Sequence, residues 1–350
     1  MIKRLLKLKI QQAFSVAFFG NIMYTKFIMF KGGLMMQRLE VDLLGNAQRI
    51  LKQVRQVVVG KNHVLTWVFA AILAKGHILM EDIPGVGKTT MALAFSRTLG
   101  LQDSRVQFTP DVLPSDVTGY SVLDQNSGEM IYKPGAVLCN LFLADELNRA
   151  TSRTQSALLE AMEEGQVTVD GVSHKLPKPF IVIATQNPTG AAGTQPLPDS
   201  QTDRFMIQLS LGYPAAEDEI AMVNARQRTD PLKHLNALVS PQELLAMQEQ
   251  VAQTYMSHEI VSYIVNLTQA TRIHPMLERG ASPRATLAVV SMAKSLARLH
   301  GRDYVVPKDV QDAFPQTVSH RLELNGKARE QGIDLILQNI LQTVPAPRLR

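Results

Sequence analysis

The segment from Ile83 to Thr90 has the composition of a loop that holds phosphate. It follows an apolar run that ends at Met80 and contains two glycines, a lysine and two threonines. A glycine-rich turn between a strand and a helix exposes backbone N–H groups to an anion, while the lysine can reach the β- and γ-phosphates and the first threonine can bind Mg²⁺. The predicted nucleotide-binding residues are Gly85, Val86, Gly87, Lys88, Thr89 and Thr90, with Thr89 also a metal ligand.

One position departs from the usual form of this loop, because Asp82 stands where the first glycine of the pattern is expected. The tight turn itself is made by the stretch from Pro84 to Thr89. We therefore interpret Asp82 as a tolerated variation.

Two further apolar runs end in residues that suit hydrolysis. Residues 137–144 are followed by Asp145 and Glu146, which would bind Mg²⁺ through water and activate the attacking water respectively. Residues 180–185 lead to Asn187, whose amide would orient that water. Taken alone, the acidic pair is also compatible with a helix cap, and Asn before Pro is common in turns.

Two arginines are candidates for contact with the γ-phosphate. Arg204 lies in an Asp-Arg-Phe sequence at the edge of the first domain, where it would reach the nucleotide of a neighbouring subunit. Arg284 follows Ser-Pro at the start of a later helix and would contact the γ-phosphate of its own chain. Taken alone, each arginine is more simply a surface residue or a member of an ion pair.

The elements that must position these residues alternate between strands and helices. A helical pattern over 39–58 comes first, and short apolar runs separated by helical stretches follow at 76–83, 105–109, 137–145, 179–185 and 205–211. This alternation predicts an α/β fold, with a mostly parallel sheet that has helices on both faces. Alternating patterns at 120–133 and 166–176 predict two hairpins.

After residue 214 the strand patterns stop. A capping box from Ser240 to Glu243, with proline at the first helical position, predicts a helix to about residue 254. Further helical patterns cover 257–271, 283–300 and 307–319. We therefore predict an N-terminal extension (1–36), an α/β nucleotide-binding domain (37–214) and a small all-helical domain (215–350).

Composition excludes several protein classes. The chain has 350 residues, 45% of them hydrophobic, which excludes a mainly disordered protein. Its one cysteine, Cys139, lies in an apolar run and excludes a disulfide scaffold; it fits a reduced, cytoplasmic compartment. The eight histidines show no zinc-binding spacing, so no metal beyond Mg²⁺ is indicated.

The positive charge of the chain lies in its first segment. The formal charge is +5, but residues 1–36 contain six Lys or Arg and no Asp or Glu, so the remainder carries −1. Two interpretations of this segment stay open: a membrane-surface anchor, or a non-native extension with translation starting at Met35 or Met36. Its uncharged run, Ile10 to Thr25, is too short and too polar for a membrane span.

Taken in order, these motifs resemble an AAA+ ATPase. The longer stretches LADELNRATSRTQSALLEAMEEGQVTVDG (143–171), ATQNP (184–188), PLPDSQTDRF (196–205) and GASPRA (280–285) resemble the MoxR family, and the likeness covers about residues 40–340. Departures are Asp82, residues 190–195 and the N-terminal extension.

The resemblance implies roles for the candidate residues. Lys88 and Thr89 would belong to Walker A, Asp145 and Glu146 to Walker B, and Asn187 would be sensor 1. Arg204 would be the arginine finger and Arg284 sensor 2. A less specific match places Val59 and Gly60 at the adenine pocket, and the two hairpins would face the pore or the substrate of a ring.

The resemblance also implies ATP and Mg²⁺ as ligands, a hexameric ring, and protein clients, including proteins with von Willebrand factor A-type domains. Two alternatives stay open: a nucleic-acid motor and a regulatory nucleotide switch. The near-neutral charge after Met36 disfavours the motor, and the presence of Glu146 and Asn187 disfavours the switch. Membrane contact is expected only if residues 1–36 are native.

Overall fold

A computed structural model describes residues 25–30, 33–38, 41–83, 85–187, 197–228, 230–326 and 332–348. Contacts divide the chain into two units, with the boundary in sequence between Val41 and Asp42. In the first unit, residues 25–30 pair antiparallel with residues 33–38. The predictions for residues 1–24 and 190–195 lie outside the described ranges, and the alternatives for the extension stay predictions.

Strands and helices have the following bounds. The strands are β1 (Thr25–Phe30), β2 (Gly33–Arg38), β3 (Ile78–Glu81), β4 (Asp103–Gln107), β5 (Gly119–Leu123), β6 (Met130–Pro134), β7 (Leu141–Asp145), β8 (Gln166–Val169), β9 (Val172–Lys175), β10 (Ile181–Gln186), β11 (Ile207–Leu209), β12 (Leu277–Arg279) and β13 (Glu323–Leu324). The helices are α1 (Leu43–Arg55), α2 (Asn62–Leu73), α3 (Lys88–Thr98), α4 (Pro114–Thr118), α5 (Ser152–Glu164), α6 (Asp199–Thr202), α7 (Ala216–Arg228), α8 (Pro241–Ala252), α9 (His258–Ile273), α10 (Pro283–Leu299), α11 (Pro307–Val318) and α12 (Ile333–Thr343).

A five-stranded sheet with the order β11-β3-β10-β7-β4 forms the centre of the second unit, and all its pairs are parallel. These are the five predicted apolar runs, so the expected α/β fold is confirmed. Every residue of β7 and the first five of β10 are buried, as expected for parallel strands covered on both faces. Phe108 and Phe142 meet edge to face in this core.

Both predicted hairpins are present outside the sheet. The strands β5 and β6 pair antiparallel, as do β8 and β9. The Tyr132 ring stacks on the His174 ring with centroids 3.7 Å apart, which joins the two hairpins. Leu123 and Met130 are opposite each other near the turn of the first hairpin, and both are exposed.

The part after residue 214 is helical, with the predicted capping box at the start of α8. Ser240 Oγ accepts from the Glu243 N–H at 3.2 Å, and the Glu243 carboxylate accepts from the Ser240 N–H at 2.7 Å. The expectation that this part contains no strands is wrong in one detail, because β12 and β13 pair there. The helices α7 and α12 were not among the sequence predictions. Among the described helices, none combines the length and hydropathy needed to cross a membrane.

His77, just before β3, is a half-buried hydrogen-bonded residue. Its Nδ1 accepts from the Val182 N–H at 3.0 Å, so the neutral ring carries its proton on Nε2, which lies 3.3 Å from the Met162 carbonyl oxygen. Burial lowers the pKa of His77 to about 4. His320 is a second case: burial and the adjacent Arg321 lower its pKa to about 3.

These two histidines predict a loss of stability in mild acid. Between the ordinary pKa of 6.5 and the lowered values, the unfolded chain binds protons that the folded chain does not, so stability falls as the pH falls through this window. We expect each histidine to contribute about 1 kcal/mol of the loss between pH 7.5 and pH 5.5. Urea unfolding at both pH values measures it.

In a His77→Phe variant, the pH-dependent part of the unfolding free energy should shrink by about 1 kcal/mol, whatever the variant's absolute stability. His234→Asn, at an exposed histidine, is the matched control and should leave the pH dependence as in the unmodified chain. An equal response of the two variants would contradict the assignment.

Candidate active site

The predicted phosphate-binding loop connects β3 to α3, as the sequence indicates. Gly85 and Gly87 have φ values of +87° and +100°, a left-handed backbone that favours glycine. A Cβ added at either position would meet no described heavy atom within 4 Å. The loop therefore leaves open space beside its two glycines, at the N-terminus of α3, where an anion is favoured.

Lys88 is the first residue of α3 and is only 7% exposed. Its ammonium donates to the Asp82 carbonyl oxygen at 2.7 Å. Burial lowers the pKa of Lys88, and the carboxylates of Asp82, Asp145 and Glu146 oppose that shift. The two predicted Walker B carboxylates thus act directly on the loop lysine.

Asp145 ends β7 and is held through both carboxylate oxygens. Thr185 Oγ1 donates to one at 2.6 Å and Arg105 donates to the other at 2.7 Å. The pairing of Ala144 with Ala184 in neighbouring strands explains the first contact, since it brings the next residues of both strands side by side. Asp145 is 9% exposed, so it is a fixed and largely buried anion.

Glu146 follows β7 with a left-handed backbone, at φ +55°. Its N–H donates to Thr185 Oγ1 at 2.8 Å, and its carboxylate accepts from Arg149 at 2.8 Å and from the Asn187 amide at 3.2 Å. The hydrogen bond from Arg149 is the main cause that lowers the pKa of Glu146; Asn187 adds to it and burial opposes it. Glu146 is therefore a carboxylate oriented by two side-chain donors, which favour its charged form.

The residues present fit a Mg²⁺ ion that is bound together with a phosphate ligand. Within the described ranges, no group of three or more His, Cys, Asp or Glu side chains is arranged to hold a metal by itself. Mg²⁺ usually takes one or two protein oxygens and completes its shell with water and phosphate. The fixed carboxylate of Asp145 and the hydroxyl of Thr89, in the first turn of α3, supply such a donor set.

Arg204 and Arg284 lie together in a separate cluster. Both donate to the Glu163 carboxylate, Arg284 at 2.5 Å, and Arg204 also donates to the Leu159 carbonyl oxygen at 3.2 Å. A cavity of about 300 Å³ beside them is lined also by Gly76. The two arginines therefore share one carboxylate partner and line one cavity.

This arginine cluster is at the opposite end of β3 from the phosphate-binding loop. Gly76 precedes β3 and Asp82 follows it, and the four-residue strand between them spans about 13 Å. Within one chain the structure therefore brings Lys88, Asp145, Glu146 and Asn187 together and places the two arginines elsewhere.

Val59 and Gly60, predicted at the adenine pocket, lie between α1 and α2. Gly60 has φ +75°, and a Cβ there would be 2.0 Å from an oxygen of Asp218 in α7. Lys61 Nζ donates to the Tyr213 carbonyl oxygen at 2.7 Å. These contacts place this turn against the segment that enters the helical part; a role in binding adenine stays a prediction.

The sequence alone did not indicate several residues that contact the site. Arg149 could have been found, because it lies three residues after Glu146, within reach of the same turn. Thr185 precedes Asn187 by two residues, but its contact with Asp145 depends on strand order. Arg105 and Glu163 gave no local signal.

Known proteins that are similar in sequence support the assignment of a nucleotide-binding domain followed by a lid domain. Residues 77–207 match the ATPase family associated with various cellular activities (AAA), and residues 269–340 match the AAA lid domain. The chain is 43% identical to the uncharacterized protein YeaC of Bacillus subtilis over 87% of this chain and 95% of that protein. It is 38% identical to chaperone MoxR1 of Mycobacterium tuberculosis over 86% and 82%.

A crystal structure of a Cytophaga hutchinsonii protein assigned as an ATPase is also similar. It superposes with a TM-score of 0.82 at 34% identity, over 87% of this chain and 96% of that one. The similarity therefore extends across both the α/β part and the helical part.

The Thr185 hydroxyl predicts a stability effect, because it both donates to Asp145 and accepts from Glu146. Thr185→Val keeps the shape and leaves a half-buried N–H and a buried carboxylate oxygen without this partner, so we expect a loss of about 1–3 kcal/mol. Urea or thermal unfolding measures it. The matched control is Thr317→Val, since that hydroxyl is equally buried and has no partner among the described residues; it should cost little or nothing. Equal losses in both variants would contradict the bridging role.

Proposed function

The chain belongs to the MoxR family of AAA+ ATPases, and we propose that it hydrolyses ATP to ADP and phosphate at the site around Lys88 and Glu146. The observation that carries this proposal is the convergence of Lys88, Asp145, Glu146 and Asn187 at one edge of the sheet. Because Glu146 accepts from the Asn187 amide, base and water-orienting group are already adjacent. A nucleotide switch without turnover would not need this pair.

The residues would divide the work as follows. The loop N–H groups and Lys88 would bind the β- and γ-phosphates, with Lys88 exchanging its bond to the Asp82 carbonyl for phosphate oxygens. Glu146 would take a proton from the attacking water and Asn187 would orient that water. Thr89 and Asp145 would hold Mg²⁺, which neutralises charge on the phosphates when bound.

Arg204 and Arg284 would act on the nucleotide of a neighbouring subunit. What supports this is their common position at the far end of β3 from their own loop, beside an open cavity. An arginine supplied by a neighbour stabilises charge that develops during phosphoryl transfer. The active form would then be a homo-oligomeric ring, which we propose to be a hexamer. For Arg284 this replaces the contact in its own chain that the sequence suggested.

This arrangement predicts complementation between two inactive variants. Lys88→Ala should not bind ATP but still offers its arginines, whereas Arg204→Ala should bind ATP but lack the group that completes a neighbour's site. Each alone should lose at least about tenfold in turnover, and co-assembled mixtures should regain part of the activity. Phosphate release measures it.

Arg284→Ala should complement Lys88→Ala in the same way. A mixture of Arg204→Ala with Arg284→Ala is the control, since both changes remove groups from the same cluster. Mixed assemblies of Lys88→Ala and Arg204→Ala that stay inactive would rule out action across the subunit boundary.

We further propose that hydrolysis remodels or matures protein clients in the cytoplasm, as a chaperone. The similarity to chaperone MoxR1 supports this, and so does the hairpin β5–β6, which lies outside the central sheet and exposes Leu123 and Met130. Clients or partners with von Willebrand factor A-type domains fit the family. No observation favours a nucleic-acid motor: the chain after Met36 carries a formal charge of −1.

A hydrolysis-blocked variant should retain the client. Glu146→Gln keeps the shape of the side chain and removes the base, so ATP should bind without turnover and the client-bound state should persist. Affinity capture with ATP, followed by mass spectrometry, should enrich the same proteins over the Lys88→Ala control. Recovery of nucleic acid that is lost on nuclease treatment, with no protein enriched, would overturn the chaperone proposal in favour of the motor.

A further inference from the structure

Asp82, the residue that replaces a glycine of the usual loop, has a buried carboxylate with three donors. It is 5% exposed and accepts from Ser210 Oγ at 2.7 Å, from the Gly212 N–H at 3.0 Å and from the Leu211 N–H. All three donors belong to one short segment, residues 210–212. This segment follows β11 and leads towards α7 and the helical part.

The main chain of the same residue belongs to the phosphate-binding loop. Its carbonyl oxygen accepts from Lys88 Nζ, and its N–H donates to the Gln186 carbonyl oxygen at 3.2 Å. Asp82 therefore joins three things: the loop lysine, the end of β10 next to Asn187, and the segment that leaves the α/β part.

The segment after residue 212 is also fixed near the loop that precedes α2. Lys61 donates to the Tyr213 carbonyl oxygen, and Gly60 lies against Asp218. The chain is thus attached at two successive points as it passes to the helical part. Only Asp82 of these attachments belongs to the phosphate-binding loop.

We infer that Asp82 is a positioning residue that couples occupation of the phosphate-binding loop to the position of residues 210–212, and through them to the helical part. The inference rests on the proposed ATPase function. When Lys88 leaves the Asp82 carbonyl for a phosphate, the loop around Asp82 must readjust, and three hydrogen bonds to its carboxylate carry that change to residues 210–212. A glycine at position 82 has no side chain to carry it.

The test uses the full-length chain with Asp82→Asn and Asp82→Gly, the second being the residue usual in such loops. Asparagine offers one acceptor where the carboxylate receives three donors, and glycine offers none. The loop glycines and Lys88 stay in place, so we expect KM for ATP to change by less than about threefold while kcat falls about tenfold or more. Ser210→Ala is the graded control: it removes one donor and keeps both N–H contacts, and kcat should fall less than in either Asp82 variant.

Hydrogen exchange distinguishes coupling from a purely structural role, because only coupling makes the amide exchange rates respond to nucleotide. In the unmodified chain, adding a non-hydrolysable ATP analogue should change the exchange rates of the Leu211 and Gly212 amides. In both Asp82 variants these amides should exchange about tenfold faster and lose their response to the analogue.

Three outcomes would overturn the inference: no response at Leu211 and Gly212 in the unmodified chain, wild-type kcat in Asp82→Gly, or equal losses of affinity and turnover. The first does not require any variant to fold. Failure of the proposed ATPase function gives a different result. The unmodified chain would then bind the analogue but release no phosphate from ATP. An exchange response at residues 211–212 would still support the coupling in that case.

Discussion

The nucleotide site depends on β10 lying between β3 and β7, with all three strands parallel. Parallel strands present their carboxyl ends at one edge of the sheet, and ligands of α/β folds bind at that edge. The pairing of Gln186 with Glu81 brings the end of β10 to the start of the phosphate-binding loop. The pairing of Ala184 with Ala144 brings Thr185 beside Asp145. A different strand order would separate the lysine, the carboxylates and Asn187, whatever their local sequences.

This edge of the sheet concentrates negative charge and backbone strain in a buried setting. A non-glycine residue in the left-handed region costs about 1–3 kcal/mol, and Glu146 occupies it. The Thr185 hydroxyl, Arg149 and Asn187 hold that conformation through its N–H and its carboxylate. Burial lowers the pKa of Lys88, and the nearby carboxylates of Asp82, Asp145 and Glu146 oppose that shift. The charges of the loop lysine and of the carboxylates therefore partly compensate one another.

Sequence reasoning predicted what local patterns encode. The phosphate-binding loop, Asp145-Glu146 and Asn187 each follow a buried run, and the capping box from Ser240 to Glu243 is complete within four residues. Helix α7 was harder to predict, because its apolar residues Ile220 and Val223 are exposed rather than part of the core. Helix α12 could have been predicted from Ile336, Leu337 and Ile340, which are buried at helical spacing.

What the sequence could not give is contact between distant segments. No local pattern shows that residues 210–212 donate to Asp82, or that Glu163 pairs with both Arg204 and Arg284. The helical part is linked near both ends of the sheet. At the loop, residues 210–212, which lead towards the helical part, donate to Asp82. At the other end, Ser282 and Arg321 of the helical part donate to Asp203 and to the Phe205 carbonyl, on either side of Arg204. A shift of the helical part would therefore change the surroundings of both sites. Because hydrogen bonds weaken steeply with distance and angle, a shift of this kind would weaken contacts at the phosphate-binding loop and at the arginine cluster together.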